Sequence, residues 1–372
     1  MFDQELVCAA AINRIFPGEP GISCALYNLY GSYSRLFSLS FPELESLLGK
    51  RKKVAEAISD PKTLMDAEQE LARLDSMGYK AFHRQSGDYP GALLECNDSP
   101  AIIFIKGGIN LNYKNIISVV GTRRSTPYGE SSCRRVVREL AMSGNNPVIV
   151  SGLAYGIDIT AHRAALDNGL QTIAVLPCGP DRIYPSSHSA TAERIALFGA
   201  LLTEFPEGTP SYKLNFIQRN RIIAGVSRAT IVIESDIKGG ALTTAELAQG
   251  YSREVYALPG RFGDRASSGC NMLISKNIAA IYFSTQDFLF RMGWKEKSCG
   301  TLPQTTLFDP CRVEKEKIFV ALKNNPLMQK DDLLRATGLN IKVLSAILLE
   351  MELDNIITPV AGGRYIAERE IL

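Results

Sequence analysis

The chain has 372 residues, 45% of them hydrophobic and 22% charged, with 41 Lys+Arg against 39 Asp+Glu and a formal net charge of +2. That length predicts about two to three domains, and the composition excludes disordered, collagen-like and coiled-coil classes. No apolar run approaches the roughly 20 residues that span a bilayer, and the acidic start Met1-Phe2-Asp3-Gln4-Glu5 lacks the bases of a secretory signal, so a cytoplasmic chain without membrane contact is expected.

Residues 1–65 read as a domain of short helices: Glu5–Phe16, Ile22–Tyr30, Phe41–Leu48 and Lys52–Ile58. The turn Pro17-Gly18-Glu19-Pro20-Gly21 breaks the first pair. Helix, Gly-x-x-Gly turn and helix resemble a SAM/helix-hairpin-helix-like unit, which can hold a DNA phosphate; a small bundle for protein contacts fits equally, because the turn lacks flanking Lys or Arg. Residues 66–294 alternate apolar β-branched runs with helical stretches. The strands are Ile116–Val120, Val148–Val150, Thr172–Leu176, Ala200–Leu202, Thr230–Ile233 and Glu254–Ala257; helices include Ser131–Met142, Ile159–Asp167 and Thr244–Gln249. Fully apolar strands separated by helices predict a Rossmann-like, doubly wound parallel α/β sheet, with an edge strand from the segment around Tyr79, Phe82 and Phe104. Residues 295–310 read as a polar linker. Residues 311–372 give helices Glu314–Lys323, Lys330–Ala336 and Ile341–Leu353, then strands Ile356–Val360 and Arg364–Ile366 around Gly362-Gly363, the pattern of a winged helix.

The eight cysteines are scattered without a C-x-x-C pair, and His83, His162 and His188 are equally dispersed. No metal and no cofactor are expected from this spacing; reduced, mostly buried thiols fit better.

In an open α/β sheet, ligands bind beyond the carboxyl ends of the strands. The first such loop is Gly121-Thr122-Arg123-Arg124-Ser125-Thr126, running into a helix. Its glycine, arginines, hydroxyls and helix N-terminus suit a phosphate, while its spacing is neither a dinucleotide fingerprint nor a Walker A loop. Ser151-Gly152-Leu153-Ala154-Tyr155-Gly156-Ile157-Asp158 enters a second helix, with His162 one turn past Asp158; without a nearby nucleophile, a structural contact is expected of that pair. The most polarised stretch runs from Gly208 to Ile233, with Lys213, Arg219, Arg221 and Arg228 and no acid. Bases interleaved with Phe216 and Asn220 can follow a phosphate backbone and stack a base. Gly239-Gly240 followed by Thr243-Thr244-Ala245-Glu246 resembles the signature of nucleotide phosphoribohydrolases, although Leu242 stands where a glycine belongs.

Taken in order, these loops resemble the DNA-processing protein A (DprA/Smf) family. The resemblance rests on Val120-Gly121-Thr122-Arg123, Ser151-Gly152-Leu153-Ala154, Gly156-Ile157-Asp158 with Ala161-His162, and Ile183-Tyr184-Pro185. It continues through Thr203-Glu204-Phe205-Pro206, Phe216 with Arg219-Asn220-Arg221-Ile222-Ile223-Ala224-Gly225, and Pro259-Gly260 with Gly269-Cys270-Asn271-Met272-Leu273-Ile274. It implies a non-enzymatic protein that binds single-stranded DNA without sequence specificity during natural transformation, acts as a homodimer and loads the RecA recombinase. Carried across, Gly121, Thr122, Arg123 and Ser125 would hold phosphate, and Ser151 and Gly152 would form the adjoining pocket. Lys213, Arg219, Asn220 and Arg221 would grip the backbone, and Phe216 would stack on a base. The chain departs from the family pattern at Tyr155, Ile217, Lys238–Ala241 and Lys276–Ala279.

Two further expectations follow. The rival function is a nucleoside-monophosphate phosphoribohydrolase-like enzyme using Glu246 and Arg219 in the same cleft. The C-terminal domain holds nine Lys+Arg and nine Asp+Glu from Pro310 on, and its third helix carries Lys342 as its only base. A helix bound for the major groove should be more basic, so a protein-contact or weak DNA module is expected there.

Overall fold

The computed structural model describes residues 2–294, 312–353, 356–360 and 362–367, in two compact units, Met1–Lys297 and Ser298–Leu372. The first unit opens with six helices: α1 (Gln4–Ile15), α2 (Pro20–Tyr30), α3 (Tyr33–Phe37), α4 (Phe41–Leu48), α5 (Lys52–Ser59) and α6 (Pro61–Ser76). Proline in the first turn starts α2, α4 and α6, where its missing N–H costs nothing. Asp60 caps α6 by accepting from the Lys62 N–H at 2.9 Å. The boundary expected at residue 65 falls inside α6. Its stripe Leu64, Ala67, Leu71 and Leu74 packs with Ala9–Ile12 of α1 and with Ile102 and Phe104 of the sheet, so helices and sheet share a core.

The sheet has nine strands. In chain order the elements are β1 (Lys80–His83), α7 (Gly91–Leu94), β2 (Ile102–Gly107), β3 (Ile116–Val120), α8 (Pro127–Met142), β4 (Val148–Ser151), α9 (Ile157–Asp167) and β5 (Thr172–Val175). Then come α10 (Ser189–Phe198), β6 (Ala200–Thr203), α11 (Lys213–Val226), β7 (Ala229–Val232), α12 (Gly240–Gly250), β8 (Glu254–Ala257), α13 (Ser268–Ser275), β9 (Ala280–Ile281) and α14 (Thr285–Arg291). Their order across the sheet is β1-β2-β6-β5-β4-β3-β7-β8-β9. The run from β6 to β9 is parallel, while β2 and β1 add antiparallel to the β6 edge. The segment expected to give one edge strand therefore gives two.

Alternation along the strands feeds two cores, as a pleat with both faces covered requires. Ile116, Val120, Val148 and Val150 face one layer with Ile222 and Ala245; Ile117, Val119 and Ile149 face the other with Val137 and Ala161. Ser118, buried in the central strand, donates to the Ile223 carbonyl at 2.7 Å. The chain runs outward from β3 through β4, β5 and β6, then returns to the opposite flank of β3 as β7. This reversal is a topological switch point, where the loops on the carboxyl side part and leave a crevice.

In the second unit, α15 (Arg312–Asn324), β10 (Met328–Gln329), α16 (Lys330–Thr337) and α17 (Ile341–Leu353) precede the hairpin β11 (Ile357–Val360) and β12 (Arg364–Ala367). The sheet order β10-β12-β11 and a core of Ile318, Leu322, Leu333, Leu344, Ile347 and Ile357 make a winged helix. Gly338, at φ +68°, ends α16. The expected linker at 295–310 lies outside the described residues.

Candidate nucleic-acid interface

A cleft of about 600 Å³ opens at the switch point. The loop after β3, the entry to α9, one face of α11 and the start of α12 line it. Gly121 lets its wall close: a Cβ there would lie 2.5 Å from Ile157. Thr122 donates its N–H to the Glu234 carbonyl at 2.7 Å, and Thr122, Arg123 and Arg124 line the cleft. The N-terminus of α8, expected to offer N–H groups to a bound anion, is already occupied. The buried carboxylate of Glu234, just past β7, accepts from the Thr126 N–H at 2.9 Å and the Thr126 hydroxyl at 2.6 Å. Gly129 leaves room for it, because a Cβ there would strike the carboxylate. A helix N-terminus favours negative charge, and here the fold supplies its own. Ser125 likewise donates to Glu130 at 3.0 Å and is not part of the cleft lining.

The loop after β4 serves the cleft indirectly. The buried Ser151 hydroxyl donates to the Val119 carbonyl at 2.7 Å. Gly152 is a seat: a Cβ there would overlap the Arg219 guanidinium. Gly156, at φ +76°, presses against the Thr122 carbonyl, where any side chain would collide, and this close approach joins the two loops. Neither Ser151 nor Gly152 lines the open cleft. Burial pushes the Asp158 carboxyl up from its ordinary range, against the pull of Arg219 and of hydrogen bonds from Ser151 and Ala154. His162 is fully buried, and burial first, with help from Arg219 and His188, drives its imidazole down to about 3. Its Nδ1 meets the Thr172 hydroxyl at 2.7 Å. It is a neutral core histidine, not half of an acid–base pair.

The polarised stretch from Lys213 is a helix, α11, and helical phase divides its bases. At about 100° per residue, Lys213, Phe216, Arg219 and Asn220 fall toward the cleft and line it. Arg221 lies two residues past Arg219, about 200° away. There it forms a buried ion pair with Glu204 and donates to the Asp98 carbonyl, whose side chain accepts from the Tyr251 hydroxyl at 2.7 Å. Arg221 was expected to grip a backbone; its guanidinium is instead spent inside the fold. Gln218 also points away, donating to the Gly18 carbonyl at 2.9 Å, so the N-terminal glycine turn is docked on the core.

Arg219 is the unusual group. It is 3% exposed and donates through Nη1 to the Val175 carbonyl at 2.6 Å. Its Nε has no partner, and no carboxylate among the described residues makes an ion pair with it. Burial draws its pKa down to about 10; the charge of Asp158 opposes the shift and that of Arg123 adds to it. The guanidinium therefore stays cationic at neutral pH. Phe216 also lines the cleft; the Arg123 guanidinium carbon lies 4.6 Å from its ring centroid, and Tyr184 packs against it edge-to-face at 5.2 Å. Asn220 reaches toward the Gly240 carbonyl at 3.5 Å.

Among the lining residues Ser211 carried no signal in the sequence, whereas Thr243 and Thr244 belong to the glycine loop singled out there; the Glu234 cap carried none either. Applying the helical period to 213–226 would have separated Arg219 from Arg221. Glu246 is exposed on α12 and, unlike Thr243 and Thr244 on the same helix, is not among the residues that line the cleft. The hydrolase reading therefore loses its acid. Among the described residues there is no cluster of three potential metal ligands and no helix long and apolar enough to cross a membrane. The six described cysteines are unpaired and buried.

Residues 80–293 match the profile of the family described as DNA recombination-mediator protein A, and residues 313–363 match the DprA winged helix domain. The chain is 41% identical over 201 residues to DNA processing protein DprA of Streptococcus pneumoniae, covering 54% of this chain and 70% of that one. It is 33% identical over 300 residues to Protein Smf of Escherichia coli K12, covering 80% of this chain and 79% of that one. The X-ray structure of DNA processing protein A from S. pneumoniae matches with a TM-score of 0.63 and 31% identity, over 78% of this chain and 98% of that one. A structure of DNA processing protein A from Helicobacter pylori, which concerns that protein's single-stranded DNA binding mode, matches with a TM-score of 0.52 and 33% identity, over 57% of this chain and 95% of that one.

Proposed function

The chain belongs to the DNA recombination-mediator protein A family, and on that premise we propose that it binds single-stranded DNA in the switch-point cleft without reading sequence. The observation that carries this is Arg219: a desolvated cation without an ion-pair partner is costly, and a phosphate in the cleft would offset that cost. Lys213, Arg123 and Arg124 would extend the charge along the backbone, and Phe216 with Tyr184 would offer π-faces to bases. Phosphate contacts and stacking carry no base-edge information. Gly121 and Thr122 shape the wall, while Ser125, Ser151, Gly152 and Arg221 hold the scaffold.

We further propose that the chain hands the strand to the RecA recombinase in the cytoplasm, serving recombination and natural transformation, as a homodimer rather than an enzyme. In support of the dimer, the sheet ends at the short strand β9, and Ile281, Phe283 and Phe290 stand exposed at that end. The neutral winged helix is proposed as a protein-contact or weak DNA module. The test is a titration of single- and double-stranded oligonucleotides at about 50 and 200 mM salt, with Arg219→Ala alongside. Single-strand preference, a steep salt slope and a large loss in the variant are expected. Equal binding of both forms would overturn the reading.

A further inference from the structure

Beyond the cleft, the next loop on the same side of the sheet is Leu258–Ser267, between β8 and α13. Two bonds fix its base: Gly260 donates its N–H to the Asn271 side chain at 3.0 Å, and Asn271 donates back to the Gly260 carbonyl at 3.1 Å. A Cβ on Gly260 would strike Ser267, so the two arms of the loop lie in close contact. The loop is also tied to the neighbouring one. Arg265 pairs with Asp236 at 2.7 Å, and Gly269 donates to the Ser235 carbonyl at 2.8 Å. That neighbouring loop continues into Gly239 and Gly240, which form a wall of the cleft. The tip turns at Gly263, φ +82°.

On this anchored tip, Phe262 is fully exposed. Arg261 and Arg265 flank it, both exposed, with the exposed Asp264 next to Arg265, and Lys238 stands exposed in the adjoining loop, so the bases still outnumber the acids here. Arg261 has no ion pair among the described residues. An aromatic ring left wholly in water, set between cations on a fixed base, has the chemistry of a stacking platform for a single-stranded nucleic acid. A hydrophobic protein contact would more typically present a contiguous apolar patch with few charges at its centre.

We propose that Phe262, with Arg261 and Arg265, forms a second single-strand binding site that extends the cleft by one loop. It rests on the reading that the cleft itself holds single-stranded DNA. Neighbouring strands lie about 4.8 Å apart, so a strand passing over the Gly239–Gly240 wall meets the Phe262 loop next. The cleft would take the first few nucleotides and the loop would stack a base beyond them.

The experiment compares the full chain with Phe262→Ala and Phe262→Trp, using oligothymidylates of roughly 4 to 16 nucleotides. A second readout is photocrosslinking with 5-iodouracil placed at successive positions, the crosslinked residue being found by mass spectrometry. Phe262→Ala should leave the shortest oligonucleotides unaffected and weaken the longest by about fivefold or more, the lower end for loss of a stacked base. Phe262→Trp should restore affinity, and iodouracil at one end of the long strand should crosslink to Phe262. Because the ring touches nothing that holds the fold, unchanged circular dichroism is expected. Wild-type binding that Phe262→Ala weakens at no length, with crosslinks confined to the cleft, overturns this proposal and leaves the cleft reading standing. Failure of the unaltered chain to bind any single strand overturns both.

Discussion

Arg219→Gln tests the cleft most directly. In the folded protein Arg219 is buried, its pKa drawn down to about 10, so it is charged at pH 7.5. A phosphate about 4 Å from the guanidinium would gain about 4 kcal/mol at an effective dielectric of 20. Desolvation of the phosphate offsets part of that, leaving about 1.5–3 kcal/mol, the range for hydrogen bonds to charged groups. Affinity should therefore fall by roughly 10- to 150-fold. One lost phosphate contact should also lower the slope of log Kobs against log salt by about 0.7. Glutamine keeps a donor for the Val175 carbonyl, so the fold should survive. Fluorescence anisotropy with a labelled oligothymidylate across a salt series reads both quantities. Gly152→Ala is the control for mechanism: its Cβ would displace the guanidinium, so it should mimic Arg219→Gln, and the double variant should be no worse than either. A variant that binds within twofold of wild type with an unchanged salt slope would refute the placement of phosphate on Arg219.

Arg221→Met should do the reverse. Leaving Glu204 buried without its partner should cost about 3–5 kcal/mol of stability, seen as a lower Tm by calorimetry, with the DNA salt slope unchanged; adding Glu204→Gln should recover part of the loss. His162 gives a pH dependence. Its folded pKa of about 3 lies below the ordinary 6.5, so the unfolded chain binds the extra proton between those values and stability falls as pH drops through that window. The ceiling is about 5 kcal/mol. The raised carboxyl of Asp158 works in the opposite direction. Denaturant melts of His162→Gln should show a shallower loss of stability below pH 6.5, by up to one proton; an identical slope would mean that His162 is not buried neutral.

The parallel sheet was legible because its strands are apolar on both faces, and six of them lie within a residue or so of where the β-branched runs place them. The winged helix was legible because Gly338 and Gly362-Gly363 punctuate it. α6 was missed although Leu64, Ala67, Leu71 and Leu74 carry a helical stripe: its polar face supplied most of the residues, and a domain boundary was placed through it. The Glu234 cap could not be read from sequence. It joins residues from β7 and α8 that only the switch in strand order makes neighbours.

The cleft poses a sharper question, because Arg219 and Arg221 are chemically identical, nearly adjacent and equally buried, yet the fold treats them differently. Arg221 is given a carboxylate and a carbonyl on its own side of α11, and Glu204 directly follows β6. A charge neutralised inside the fold serves stability and is closed to a ligand. Arg219 is given one carbonyl, a glycine to lie against and no ion pair, with Asp158 close enough to act on its charge but forming no salt bridge. If its role were structural, a carboxylate in contact would complete it and nothing in the topology forbids one, since Asp158 shows that the cleft wall can bury a carboxylate. Keeping that position open leaves the folded protein with a cation whose missing partner must come from outside. Local charge in a near-neutral chain is thus a matter of which cations are left unpaired and where they stand. Counting bases along 208–233 overstated by two the charge that the cleft can use: Arg221 is paired inside the fold, and Arg228 stands at the amino end of β7, away from the cleft.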